Sequence, residues 1–506
     1  MISLEQRIVA CALAALVAAV VSPPVAHLSL AAGVAVAIVA LASSVPLARL
    51  VPPSIAGARR RRPGLCAVWL LLAALGTAQT ARLSAFMTDI TRTWGSTIPA
   101  PVAINHQCLG AYVYAADLAR RQVPNLYDAG WYPAYAGACG LPSAAVGVRG
   151  LGRWVVDPYM YPPPFLILPR LAIALTDSFD AIRTTWFVCQ ALLFLAAALM
   201  VTRWLEEPAR HVWLLLIPAV LATPPAMLNL QFGQFHAVAM LLAAAAMVLF
   251  DEGRAVAGGA LLAFATLSKI SPGVLLVALA AQRRWRDLGW SLAGLLGWTL
   301  VSLAIVGVAP FSAFVTYELP RLISGAAFSF IDLPSQSTFV TSRNISIVGI
   351  GARLRLLGLA SPTPAELAGL AWAFMLLVVW LATRLRQDAP RSSRLIAWLA
   401  LLDLAALCAR AAPSAYVVVP ALWMLALLAA DSRRRRWWPA GIALAWLAVA
   451  GAPPLPDRLD LLVAGLGQAV LIGLSAWAIL RRPPAVATAT TPESIVYSTP
   501  ESSVPT

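Results

Sequence analysis

One lysine occurs in the 506 residues, Lys269, and it stands in the run "LLAFATLSKISPGVLL" (261–276), which otherwise reads as membrane interior. An ionisable group at that depth is costly, so it marks either a functional site or a side chain that reaches out to the headgroups. The chemistry open to an isolated ammonium there is capture of an anion such as a lipid phosphate. Groups that can move protons lie elsewhere: Asp89 in "FMTDITRTW", His106 in "INHQC", and Asp157 beside Tyr161 in "RWVVDPYMYPPP"; in "YVYAADLARRQVPNLYD", Asp117 is expected to pair with the helix arginines and Asp128 to cap a turn. Gln231, Gln234 and His236 follow in "NLQFGQFHA", then Arg343, Asn344 and Ser346 in "TSRNISIVG". Convergence of such groups on one pocket is the ordinary form of an active site. Other chemistries find no support. No glycine loop with Lys-Ser/Thr is present for ATP, and the four histidines and six cysteines show no zinc-ligand spacing. No cofactor and no metal are expected.

The elements that must position these residues are membrane helices. Hydrophobic residues make up 60% of the chain, charged residues 12%, and mean hydropathy is +0.79. Soluble domains carry about 25% charged residues. Apolar stretches near the spanning length recur throughout, which predicts an all-α polytopic membrane protein with about 12–14 transmembrane helices of roughly 20 residues. Barrel strands would be shorter and would alternate apolar with polar residues.

The net charge of +15 does not point to nucleic acid. The arginines sit between apolar runs, as in "GARRRRPG", "TRWLEEPARH", "QRRWRDLG" and "DSRRRRWW", which is the pattern of cytoplasmic loops. That places segments 84–163 and 310–362 outside. The chain divides into an N-terminal transmembrane hairpin (1–60), a catalytic transmembrane module (61–360), C-terminal membrane helices (361–482) and a Pro/Ser/Thr-rich, disordered cytoplasmic tail (483–506).

Single helices are expected at 211–229, 415–430 and 437–452. The stretch "FLILPRLAIAL" is too short to span and is expected to lie in the outer interface. Short helices at 255–268 and 272–282 flank Lys269, with Pro272 and Gly273 breaking the chain between them. Two short helices meeting below the surface leave a dent on the outer side, with Lys269 at its floor. Cys108 and Cys139 both fall in the outer segment, where a disulfide between them is expected.

Taken in order, the motifs resemble glycosyltransferase family 87, polyprenol-phosphate-sugar-dependent enzymes of the C-type fold. They are "LYD" (126–128) closing an outer helix, "YPPP" (161–164) ahead of an apolar segment, and "GQFH" (233–236) at a Gly-Gln turn. "AGGALLAFATLSKISP" (257–272) stands for a glycine-rich helix ending in Lys and Pro, "RRWRD" follows, and "SRNISIVG" (342–349) stands for an Asn-x-Ser turn. The resemblance covers roughly residues 65–430. It implies transfer of a sugar from a polyprenyl-phosphate donor to a lipid or glycan acceptor, with inversion, on the extracytoplasmic side of the inner (plasma) membrane. Mannose is implied, with arabinofuranose as the rival sugar and a non-enzymatic lipid or glycan transporter as the alternative class.

On that reading donor phosphate and sugar fall to Lys269, Gln234, His236, Arg343, Asn344 and Tyr161, with polar caps at helix ends as the other reading of Gln234 and Asn344. The family's aspartate at the start of the outer helix is missing, since this chain reads "NHQCLGAYVYAADLARR" there. The base assignment is therefore divided between Asp89 and His106. The partners implied are the donor, the acceptor and membrane lipids, without nucleic acid.

Overall fold

The computed structural model describes residues 2–98, 104–132, 147–328, 343–431, 441–442 and 457–481. Among these residues the regular structure is helical, with isolated bridges in place of strands. Helix α1 (Leu4–Leu28) opens on a capping box, in which Ser3 accepts from the Gln6 N–H and Gln6 accepts from the Ser3 N–H. Helix α2 (Leu30–Ala42) turns back with Val34, Ile38 and Val39 exposed, a surface suited to acyl chains. Helix α3 (Pro63–Thr88) starts directly after the arginine run, with Pro63 at its first position, where a missing N–H costs nothing.

Helix α4 (Cys108–Arg120) follows, and it is buried along nearly its whole length. A 3-10 turn (Pro163–Leu166) then leads into α5 (Ile167–Leu175). Further helices are α6 (Phe179–Trp204), α7 (Ala209–Leu221), α8 (Pro224–Gln231), α9 (His236–Asp251), α10 (Ala255–Ser268), α11 (Val274–Ala281) and α12 (Trp285–Val306). After them come α13 (Pro364–Ala382), α14 (Arg391–Leu407), α15 (Val419–Asp431) and α16 (Asp457–Leu480).

By length and composition, 7 helices among the described residues can cross a membrane, or 8 with the bent α7–α8 pair counted as one span. The chain is thus an all-α polytopic membrane protein. Helices α9, α10, α11, α15 and the piece Pro163–Leu175 are apolar but shorter. The expected count of about 12–14 crossings includes most of these short helices.

The core is built around α9, in which every residue from Ala237 to Phe250 is buried. A helix apolar on all sides belongs in an interior, and α6, α10, α14 and α15 surround it. Helix α10 lies hard against α12, where a Cβ on Gly259 would meet the Trp290 carbonyl carbon at 2.5 Å. That approach carries α10 directly to the break at Lys269.

The arginine loops gather at one end of the bundle. Arg284 and Arg394 both bind Asp251, at 3.0 and 2.7 Å. Arg391 donates to the Trp204 carbonyl at 3.0 Å, and Arg481 pairs with Asp431 at 2.6 Å. The opposite end, the loop face, carries α4 and the segment leading to α5.

Three expectations change in detail. The helix foreseen at 211–229 is two helices bent by 62°, because Pro224 and Pro225 start a new helix rather than continue the old one. The one at 415–430 is split into Ser414–Val417 and α15, whose second residue is Pro420. Helix α4 ends at Arg120, and "LYD" follows in a turn where Asn125 accepts from the Tyr127 N–H at 3.0 Å. The helix foreseen at 437–452, apart from residues 441–442, and the tail from 482 lie outside the described residues. The "FLILPRLAIAL" stretch yields a helix of 9 residues, about 13 Å long and too short to span.

Candidate active site

Helix α10 ends at Ser268, and Lys269 is its extended C-cap (φ −148, ψ 122) before the turn Ser271–Gly273. The proline in that turn cannot continue the ladder, so the lysine sits at a break between helices of 14 and 8 residues. Its side chain is 6% exposed. Nζ donates to the Tyr112 hydroxyl at 3.3 Å and lies 3.7 Å from the centre of the Tyr161 ring. A buried ammonium held by one hydroxyl and an aromatic face keeps two N–H donors for another acceptor.

The contacts continue away from the lysine. The Tyr112 hydroxyl donates to Gln234 Oε1 at 2.8 Å, and Gln234 Nε2 donates to Cys108 Sγ at 3.8 Å. Cys108 Sγ is 3.6 Å from His106 Nε2 and also donates to the Tyr416 hydroxyl at 3.7 Å. His106 Nε2 lies 3.2 Å from Asp157 Oδ2, and these two side chains are 24% and 28% exposed. One chain of contacts therefore runs from a buried cation to an imidazole–carboxylate pair open to solvent.

Backbone bonds place this chain. Leu109 N–H donates to the Phe232 carbonyl and Val155 N–H to the Asn105 carbonyl, both at 3.0 Å. The first ties the start of α4 to the "GQFH" turn, and the second brings the extended segment with Asp157 beside His106. Gly233 makes the turn with φ +64, and a Cβ there would meet Leu109 Cβ at 2.7 Å. Tyr127 of "LYD" donates to the Tyr161 carbonyl at 2.9 Å, and Pro163 accepts from Ser302 at 3.2 Å, so α12 supports the "YPPP" segment. Tyr112 makes ring contacts with Tyr159, Tyr161, Phe165 and Trp186, which form an aromatic wall beside the lysine.

The pair shifts its own protons. Burial alone would push the His106 imidazole down, but the Asp157 carboxylate and the Cys108 contact together outweigh it and lift the imidazole to about 9. Burial raises the Asp157 carboxyl, and His106 draws it partly back.

The foreseen residues separate into two groups. Lys269, Tyr161, Gln234 and His106 are together in the chain of contacts. His236 begins α9 next to Gln234, is an electrostatic neighbour of Lys269, and has a buried Nε2 with no hydrogen-bond partner among the described residues. Asp89, Arg343 and Asn344 make their contacts elsewhere. Asp89 caps α3 and accepts from the Thr91 N–H (3.0 Å) and hydroxyl (2.6 Å), which hold its carboxyl below the usual range, and it pairs with Arg92 at 3.4 Å. Arg343 binds Asp460 of α16 at 2.9 Å. Asn344 uses its carboxamide on backbone, donating to the Arg410 carbonyl at 3.1 Å and accepting from the N–H groups of Ser346 (3.2 Å) and Ala412 (2.9 Å).

Asp117 binds Arg120 and Arg121, and Asp128 caps a 3-10 turn. Cys108 is a free, buried thiol turned toward His106, and the bridge expected between it and Cys139 falls on a residue outside those described. Tyr112 and the pairing of Asp157 with His106 are not foreseen. The available signals are that Tyr112 stands one helical turn after Cys108 and that Asp157 stands four residues before Tyr161.

Fold and site together define a multi-pass membrane enzyme whose polar centre lies at one end of its helix bundle. Residues 159–409 match the profile of glycosyltransferase family 87, and the chain belongs to that family. It is a membrane glycosyltransferase. No curated protein and no solved structure gives a match to it.

Proposed function

We propose that this glycosyltransferase takes mannose from a polyprenyl-phosphate donor and passes it to a lipid or glycan acceptor on the outer face of the plasma membrane. The observation that carries this reading is the position of Lys269, buried at a helix break under Tyr112 and Tyr161 and linked through Gln234 and Cys108 to His106 and Asp157. A donor phosphate would sit on the ammonium. As the C1–O bond to the phosphate breaks, the electron pair goes to that oxygen, and Lys269 holds the growing charge, so no general acid is needed. The acceptor oxygen attacks C1 from the opposite side and loses its proton to the Asp157 carboxylate that His106 holds in place. A single displacement of this kind inverts the anomeric centre. Gln234 and the unpartnered His236 Nε2 are suited to sugar hydroxyls, and the aromatic wall to the sugar's apolar face.

The outer-face assignment is supported by the arginine loops meeting at the other end of the bundle. The test is transfer by purified protein in liposomes, offered polyprenyl-phosphate mannose or arabinofuranose in parallel, with the linkage read by NMR. An α-mannoside from a β-linked donor is the expected product. Transfer of arabinofuranose alone would replace the sugar, and no transfer from any such donor would overturn the reading. A membrane-impermeant maleimide should label Trp94→Cys in intact cells, and labelling only after permeabilisation would reverse the sidedness.

A further inference from the structure

We propose that His106, Cys108 and Asp157 form a binding site for one divalent cation of the zinc class. Their ligand atoms, Nε2, Sγ and a carboxylate oxygen, all lie within 4.8 Å of one another. Around a tetrahedral zinc with Zn–N and Zn–O near 2.0–2.1 Å and Zn–S near 2.3 Å, such atoms stand about 3.3–3.6 Å apart. Two of the three separations fit, 3.2 Å from Nε2 to Oδ2 and 3.6 Å from Nε2 to Sγ, while Sγ and the carboxylate lie within 4.8 Å and would close on an ion by a small side-chain rotation. An ion pair between His106 and Asp157 accounts for the first distance but not for a cysteine turned onto the same nitrogen.

The donor set selects the metal. Sulfur and imidazole favour zinc over magnesium or calcium. Thiolate and carboxylate together neutralise a doubly charged ion, which matters in a site that has the Lys269 ammonium as an electrostatic neighbour. Gln234 Nε2 already donates to Sγ at 3.8 Å, and the Tyr416 hydroxyl at 3.7 Å would turn to donate once the thiol ionises. Such contacts are the usual support of a thiolate ligand. Three protein ligands leave a fourth position open, and the partial exposure of His106 and Asp157 puts it at the solvent edge. His106 and Cys108 come from the entry to α4 and Asp157 from the extended segment bridged to it. That arrangement explains why a chain with scattered histidines and cysteines shows no zinc spacing.

This site rests on reading the pair as the acceptor end of the glycosyltransferase centre, and it deepens that reading. The cation would orient the acceptor oxygen and lower the pKa of its hydroxyl, and the hydroxyl's proton would pass to the Asp157 carboxylate oxygen that does not hold the metal.

The test is metal content of the full-length protein, purified without a histidine tag in metal-controlled buffer, measured by mass spectrometry after equilibration with micromolar zinc. About one zinc per chain is expected for wild type. Cys108→Ala and Asp157→Ala should each lose most of it while eluting as the same monodisperse species, and Cys408→Ala should keep it. Cobalt in place of zinc should give a thiolate charge-transfer band that Cys108→Ala abolishes. Zinc absent from wild type, or retained undiminished in both ligand variants, overturns the proposal. Sugar transfer is assayed on the same samples with and without chelator. Lysine-dependent transfer by metal-free protein would remove the metal and leave the function standing, whereas bound zinc with no transfer from any donor would do the reverse.

Discussion

Replacing Lys269 with methionine removes one buried positive charge and little volume. With a phosphate oxygen about 4 Å from Nζ and an effective dielectric near 20, the lost attraction is about 4 kcal/mol. Part of that is already present when the donor binds, and the rest develops as the phosphate leaves. Mutational losses of a single preorganised charge stabiliser run at roughly 10²–10³ in rate, so kcat/KM for the polyprenyl-phosphate donor should fall by about that factor. Folding should not suffer, because an apolar side chain replaces a charge that has only the Tyr112 hydroxyl, at 3.3 Å, and the Tyr161 ring as partners. The assay is initial-rate transfer of labelled sugar in liposomes, with melting temperature measured on the same preparations. Tyr112→Phe is the control. It removes the hydroxyl that Lys269 contacts but leaves the charge, and it should cost no more than about tenfold. If Lys269→Met stays within tenfold of wild type, or if Tyr112→Phe matches its loss, the ammonium does not hold the phosphate and the reasoning fails.

Asp89→Asn should leave transfer within a few-fold of wild type, since asparagine can still accept from the Thr91 N–H; a loss beyond a hundredfold would restore Asp89 as the base. Glu318, in the π-turn Phe314–Glu318 on the loop face, is buried and pairs with Arg321 at 3.1 Å. Burial raises its carboxyl from 4.5 to about 7 against the pull of Arg321. The linked stability is therefore present below about pH 4.5 and lost as pH rises through about 7, a swing of about 3 kcal/mol. The wild-type melting temperature should fall between pH 5 and 8, and Glu318→Gln should flatten that fall; parallel curves for the two proteins would refute the assignment. Gly259→Leu should destabilise by about 1–3 kcal/mol or more by forcing α10 off the Trp290 backbone, read as a lower melting temperature, and an unchanged midpoint would contradict the close approach.

The break at Lys269 is legible in sequence because a lone lysine and a Pro-Gly pair interrupt an apolar run, and each feature acts on its own neighbours. The bends at Thr223 and Val418 are equally local, written in "TPP" and "VVVP", but the apolar content runs through them and makes each look like one helix. Polar pairings follow a different rule. An asparagine at a helix break reads the same whether its amide binds sugar or backbone, and Asn344 binds backbone. An arginine beside it reads as a free cation until Asp460, far along the chain, is folded against it. Asp157 reaches His106 through one bridge between Val155 and His106, and nothing near either residue announces the other. Helices can be read because lipid demands internal hydrogen bonding over every crossing. The chemistry is harder to read because its groups meet where the chain has left regular structure: Lys269 after α10, His106 before α4, Asp157 before the "YPPP" turn. The same irregularity that hides these contacts from pattern reading leaves an ammonium and an imidazole–carboxylate pair with hydrogen-bonding capacity for a substrate.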